Sequence, residues 1–242
     1  MATLKAGIHV ETRSGLRYVV EDSHPTARHE PWLGNAFAFL YDFSMTNSVF
    51  PRKFGADMGR HYSILAHELE GTHGEQVLEL GTGSGSACHF LCPDNCYTGV
   101  DVSPGLLKLA ARRFVGAGFK DPEFYVVSAA DLPFEEGTFG VCLCILSLNF
   151  IGDVQKAVQE VSRVLRPGGL FVCTVPVPER NRLKRTIRGV LYSEAELERF
   201  CRQHGLGFEP VASDNGALLY FRAVRQRAVA AGATQSAGRP DR

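Results

Sequence analysis

Apolar and polar residues alternate from Ile8 to Glu21 on both sides of Arg13-Ser14-Gly15, the pattern of a two-stranded hairpin. The period then lengthens. Pro25 and Pro31 punctuate a connector, after which Phe37 to Asp42 and Phe54 to Glu70 repeat apolar positions at helical spacing, and Gly71 and Gly74 end the second run. From Val77 onward short apolar runs alternate with amphipathic ones. Runs at 77–80, 96–101, 123–127, 139–146 and 170–175 predict buried strands, and helices are predicted over 84–91, 104–117, 154–165 and 193–204. Ser103 before Pro104 reads as a helix N-cap, Ser193 with Glu196 as a capping box, and Pro167-Gly168-Gly169 as a stop. Two last strands, 208–212 and 217–224, flank the hairpin turn Asp214-Asn215-Gly216. Alternating strands and helices predict a mostly parallel sheet that ends antiparallel.

The first strand of this series runs into a turn with glycine at every second position, Gly81-Thr82-Gly83-Ser84-Gly85. Glycine tolerates positive φ and leaves no Cβ between backbone and ligand, so the turn suits close approach of a polar group. Asp101 ends the next strand, where an acidic side chain can meet a ribose. A dinucleotide fingerprint requires a third small residue three positions after the second glycine. Counted from Gly83 that position is Ser86, and Gly85 comes one residue early, so the strict dinucleotide pattern fails.

From Val77 to about Val224 the chain resembles the class I S-adenosylmethionine-dependent methyltransferases. The resemblance rests on Val-Leu-Glu-Leu-Gly-Thr-Gly-Ser-Gly at 77–85, Asp101, Ser-Ala-Ala-Asp-Leu-Pro-Phe at 128–134, Leu-Arg-Pro-Gly-Gly-Leu at 165–170 and the closing hairpin. The blocks at 128–134 and 165–170 are most similar to the small-molecule and quinone-biosynthesis branch. The resemblance implies a Rossmann-like seven-stranded α/β sheet with an antiparallel last strand, helices on both faces and an N-terminal helical cap. It implies S-adenosylmethionine as cofactor. Glu79, Gly81, Gly83 and Gly85 would surround its methionine part, and Asp101 would hold both ribose hydroxyls. Asp131 would accept from the adenine amino group and Leu132 would give its amide to the ring, with Thr82, Val102 and Leu146 completing the cofactor contacts. Tyr41, followed by Asp42, would close over the methyl donor as a lid. Two departures stand out: Gly140 occupies a position where the family usually has an aspartate, and Asn149 one where a histidine often stands.

Composition narrows the acceptor only loosely. At 242 residues and 45% hydrophobic the chain can bury one substantial α/β core. The expected division is a hairpin and connector at 1–34, a helical cap at 35–74, the cofactor-binding domain at 75–225 and a disordered tail at 226–242. Lys plus Arg equals Asp plus Glu at 26 each, so no global field favours nucleic acid or an anionic membrane. No apolar run approaches a membrane span and no leader pattern opens the chain, which predicts a cytoplasmic protein. Seven cysteines suggest reduced thiols. Cys88, Cys92 and Cys96 share a four-residue spacing, but Pro93 interrupts that helix, and no metal site is expected there. Arg180, Arg182, Lys184, Arg185 and Arg188 form a basic segment suited to an anionic group on a small-molecule substrate. An RNA acceptor using the 180–188 loop, or a non-catalytic S-adenosylmethionine-binding scaffold, are the alternatives. Tyr41, His61 and Asn149 are the candidates for groups acting on substrate, though methyl transfer from a sulfonium requires no general base when the nucleophile arrives deprotonated.

Overall fold

A computed structural model describes residues 1–20, 45–182 and 184–227. Nine strands form one sheet in the order β1-β2-β5-β4-β3-β6-β7-β9-β8. They are β1 (His9–Arg13), β2 (Leu16–Val20), β3 (Gln76–Leu80), β4 (Cys96–Asp101), β5 (Glu123–Val126), β6 (Phe139–Ile145), β7 (Leu165–Pro176), β8 (Leu206–Pro210) and β9 (Leu218–Arg225). Strands β3 to β7 pair in parallel, and β9 inserts antiparallel between β7 and β8. The Asp214-Asn215-Gly216 turn delivers that reversal, as the sequence predicts.

Among the described residues, two α-helices pack on each face. On one, Leu65 of α1 (Met58–Glu68) and Leu107, Ala110 and Phe114 of α2 (Pro104–Gly116) pack on Val77, Val141 and Leu143. On the other, α3 (Val154–Val164) and α4 (Glu194–Gln203) pack on Leu78, Cys142, Cys144 and Phe171. Every residue of β6 is therefore buried, which explains its unbroken apolar run. Both predicted caps form: Ser103 accepts from Leu106 N at 3.3 Å, and Ser193 and Glu196 close a complete capping box.

The expected seven strands become nine because the N-terminal hairpin joins the sheet. β2 pairs parallel with β5, which would otherwise be an open edge. Arg17 pairs with the buried Glu123, donates to Tyr125 Oη at 2.8 Å and lies 5.3 Å from the Tyr125 ring. The expected helix over 54–70 is also divided. A wide-coiled helix, Met45–Phe54, carries Pro51 inside it, Gly55 takes a φ of 63°, and Asp57 caps α1 by accepting from Arg60 N at 2.7 Å. α1 lies along the sheet face, with His61 on Tyr220 of β9, so this part of the expected cap is a layer of the core. The helix predicted over 84–91 contracts to one tight turn, Ser86–His89, after left-handed Gly85.

Gly140 has a positive reason. An added Cβ would lie 2.9 Å from Cδ of Glu75, whose carboxylate accepts from Arg166 at 2.6 Å. A carboxylate thus stands beside this strand after all, supplied from Glu75 rather than from position 140.

Candidate cofactor and acceptor site

Strand β3 lies between β4 and β6, so the chain turns to opposite sides of β3 after its first two crossovers. Open parallel sheets bind ligands beyond the carboxyl ends of strands at such a switch. The glycine turn leaves β3 at that point. Gly81, Gly83 and Gly85 all take positive φ, at 64°, 57° and 85°. A Cβ on Gly81 would lie 2.5 Å from Ser147 Cβ, and one on Gly85 would lie 2.8 Å from Ala110 Cα of α2. On Gly83 it would meet nothing nearer than Gly81 O at 3.9 Å. Packing accounts for the outer two glycines, while the middle one borders open space, the vacancy that a ligand pressed on the backbone requires.

Asp101 closes this turn across two strand ends. Its carboxylate accepts from Gly83 N at 2.9 Å and Ser103 N at 2.8 Å. Burial raises its pKa and those amides oppose the rise. The Val102 amide bonds it as well, and a carboxylate with about four acceptor sites can still take a ligand hydroxyl. Thr82 is buried, donating to Glu79 O at 3.2 Å and lying 3.3 Å from Tyr97 Oη. Glu79 itself is buried, takes a hydrogen bond from Tyr97 Oη, and is pushed up to about 8, chiefly by burial with the nearby Asp101 adding to it. Val102 is 44% exposed beside Asp101. Leu146, at a φ of 57°, holds Thr174 O at 2.8 Å. A branched residue in the left-handed region costs on the order of 1–3 kcal/mol and is found mainly where function over-determines the backbone. Ser147 then donates to Leu80 O at 2.9 Å, joining the mouths of β6 and β3.

Asp131 and Leu132, expected to meet adenine, lie in the segment after β5 that packs on α3. The Asp131 side chain is 70% exposed, 4.0 Å from Lys5. The Leu132 amide already donates to Glu160 Oε2 at 2.8 Å, and Arg163 fixes that carboxylate. Burial of the Leu132 side chain draws this segment into the core against α3. The residues that follow β5 directly are nearer Asp101, because Val127 N donates to Asp101 O at 3.2 Å and Ser128 and Ala129 come next.

Tyr41 lies outside the described residues. His61 is no free base. Asn215 Oδ1 accepts from Asp57 N at 2.8 Å, which orients its amide nitrogen to donate to Tyr220 Oη at 2.9 Å. The Tyr220 hydroxyl is thereby left to donate to His61 Nδ1, also at 2.9 Å. Burial depresses this histidine to about 3. Its native pKa lies below the unfolded one, so the unfolded chain takes up the proton first and stability is lost as pH falls below about 6.5. A His61→Gln variant is expected to lose this slope. Denaturant titrations should show the wild type losing about 2 kcal/mol more than the variant between pH 7 and 5. Equal slopes would show that the ring protonates in the folded state.

Asn149 is a clamp. Its Nδ2 donates to Arg188 O at 2.7 Å and its backbone carbonyl accepts from Val190 N at 2.8 Å, tying the loop after β6 to the loop after β7. Two of the five loop cations are braces as well. Arg180 donates to Ser213 O and Leu218 O, both at 3.1 Å, and Arg185 donates to Pro51 O at 2.5 Å. These braces frame a cleft of about 370 Å³, lined by Phe54, Arg180, Arg182, Arg185, Ser213 and Asp214 among others. It opens where β7 ends and β9 begins, at the same sheet edge as the glycine turn.

Fold and site together resemble the class I S-adenosylmethionine-dependent methyltransferases, and the comparisons point the same way. Residues 78–173 match the methyltransferase domain family; the chain carries a methyltransferase domain whose cofactor is S-adenosylmethionine. It is 30% identical over 105 residues to a demethylmenaquinone methyltransferase of Symbiobacterium thermophilum, an overlap of 41% of this chain and 42% of that protein. It is 30% identical over 110 residues to a sterol 4-C-methyltransferase of Caenorhabditis elegans, covering 45% of this chain and 33% of the other. The chain thus spans less than half the length of both relatives. The crystal structure of the YcgJ protein from Bacillus subtilis superposes with a TM-score of 0.61 at 17% identity, over 70% of this chain and 99% of that one. Among the described residues no helix is long and apolar enough to cross a membrane.

Proposed function

We propose that the protein transfers a methyl group from S-adenosylmethionine to a small, partly apolar acceptor that carries an anionic group, by in-line displacement at the methyl carbon with the sulfonium sulfur as leaving group. The observation that carries this reading is the shared edge: the open face of Gly83 with Asp101 beside it, and the arginine-lined cleft beyond β7. When bound, the cofactor supplies an already activated methyl. The chain's own contribution is to hold and orient. Glu79, Gly81, Thr82, Gly83 and Gly85 would line the methionine end, Asp101 would take the ribose hydroxyls, and Val102 and Leu146 would flank the ring, with Ser128 and Ala129 now the candidates for the adenine edge. Arg182, exposed at the cleft, suits the acceptor's anionic group. An acceptor that arrives as an anion needs no protein base, which agrees with a neutral His61 and an amide at Asn149. Relatives named for quinone and sterol methylation support an apolar acceptor body.

Incubation with methyl-labelled cofactor and a small-molecule extract should place label on one or a few small anionic compounds, with Arg182→Ala raising KM more than it lowers kcat. Label entering RNA or protein instead would overturn the acceptor class.

Glu79 offers an independent check on the cofactor's placement. A carboxyl held near 8 is mostly protonated at pH 7, and a cationic ligand beside it favours the carboxylate. Cofactor binding at pH 7 is expected to release close to one proton, and affinity to rise with pH up to about 8. Calorimetry in buffers of different ionisation enthalpy measures the proton. A Glu79→Gln variant releasing as much as the wild type would locate it elsewhere.

A further inference from the structure

Opposite the cofactor edge, the two loops that enter β3 and β4 bring together three side chains of different chemistry. His73 Nδ1 lies 2.9 Å from Asp94 Oδ2. Cys92 stands beside them, and the ligating atoms of all three residues lie within 4.8 Å of one another. The loops are held in register by one buried residue, Asn95. Its Oδ1 accepts from Glu75 N, and its Nδ2 donates to Thr72 O and Cys92 O, each at 2.9 Å. The side chains flanking it are thus presented by a fixed frame, while His73 and Asp94 stay half exposed and reachable from solvent.

We propose that His73, Cys92 and Asp94 form a binding site for a borderline divalent cation of the zinc class, with water as the fourth ligand. One imidazole nitrogen, one thiolate and one carboxylate oxygen are a mixed donor set that zinc accepts tetrahedrally. Bond lengths of about 2.0–2.3 Å imply ligand atoms about 3.3–3.6 Å apart. Small side-chain rotations within the 4.8 Å cluster reach that spacing, opening the His73–Asp94 contact and closing the others. The regular cysteine spacing at 88, 92 and 96 is not the ligand set: Cys92 finds its partners across the loop junction. β3 is five residues long, so the site lies about 16 Å from the glycine turn. Its effect is to staple two strand entries, with no part in methyl transfer. Metal binding displaces the Cys92 thiol proton to solvent, and uptake strengthens as pH rises.

The test titrates chelator-treated full-length protein with cobalt(II), then displaces it with zinc. One equivalent should bind, with a cobalt–thiolate charge-transfer band and tetrahedral ligand-field absorption, and zinc should raise the Tm. Cys92→Ser should abolish the charge-transfer band, and His73→Gln should weaken uptake by at least about the 10–100-fold that loss of even an outer-shell partner costs. Cys96→Ser and Cys88→Ser should leave both unchanged. Absence of saturable uptake by the wild type, survival of the band in Cys92→Ser, or its loss in Cys96→Ser would each overturn the assignment. The mutated side chains are partly exposed, and unchanged cofactor affinity in the same variants verifies that they fold.

Discussion

A valine at position 83 should weaken S-adenosylmethionine binding by at least about a hundredfold, equivalent to about 2.8 kcal/mol, while the protein still folds. The residue has a φ of 57°, and an added Cβ meets no protein atom closer than 3.9 Å. In the free protein the change therefore costs backbone strain alone, on the order of 1–3 kcal/mol. In the complex it also places a branched side chain in the space reserved for ligand. Calorimetry on Gly83→Val and Gly83→Ala separates the two effects, since alanine bears nearly the same strain with far less bulk. Wild-type affinity in Gly83→Val would mean that the cofactor does not approach this turn.

The neighbouring Gly85→Val should act on the fold instead, lowering stability by about 4 kcal/mol or more. Its Cβ would lie 2.8 Å from the Ala110 backbone and 3.3 Å from the Phe114 ring, at a φ of 85°. Helix α2 cannot retreat without uncovering the core made by Leu107, Ala110 and Phe114. Ala110→Gly should give little relief, because Cα itself is the obstacle. Gly81→Ala offers the contrast. It meets only the Ser147 side chain, at 2.5 Å, so Ser147→Gly should restore the steric part of its loss. Denaturant unfolding of these single and double variants gives the comparison, and a Gly85→Val protein as stable as the wild type would show that α2 does not pack against the turn as described.

These two glycines look alike in sequence, and only their surroundings separate a ligand face from a packing face. The same limit recurs elsewhere. The alternating residues of 8–21 announce a hairpin, but not that Arg17 would bring it to Glu123 and Tyr125, more than a hundred positions away. Asp131-Leu132 carries the chemistry an adenine contact wants, yet the Leu132 amide is taken by Glu160, a partner that no spacing along the chain announces. His61 reads as an available base until Tyr220 and Asn215 close over it. His73, Cys92 and Asp94 show no recognisable spacing, because the Asn95 contacts that align them cross from one loop to another.

What the chain determines by itself is local. Strand and helix periods, the caps at Ser103 and Ser193, the reversal at Asn215-Gly216, the glycine turn and Asp101 at a strand end all follow from backbone preference and short-range hydrogen bonding, and together they carry the resemblance to the methyltransferases. Tertiary structure alone decides which polar groups remain free. Leu132, His61, Arg180 and Arg185 each lose their availability to a distant partner. A buried polar group must find a bond, and the partner it finds is set by packing across the sheet rather than by position along the chain.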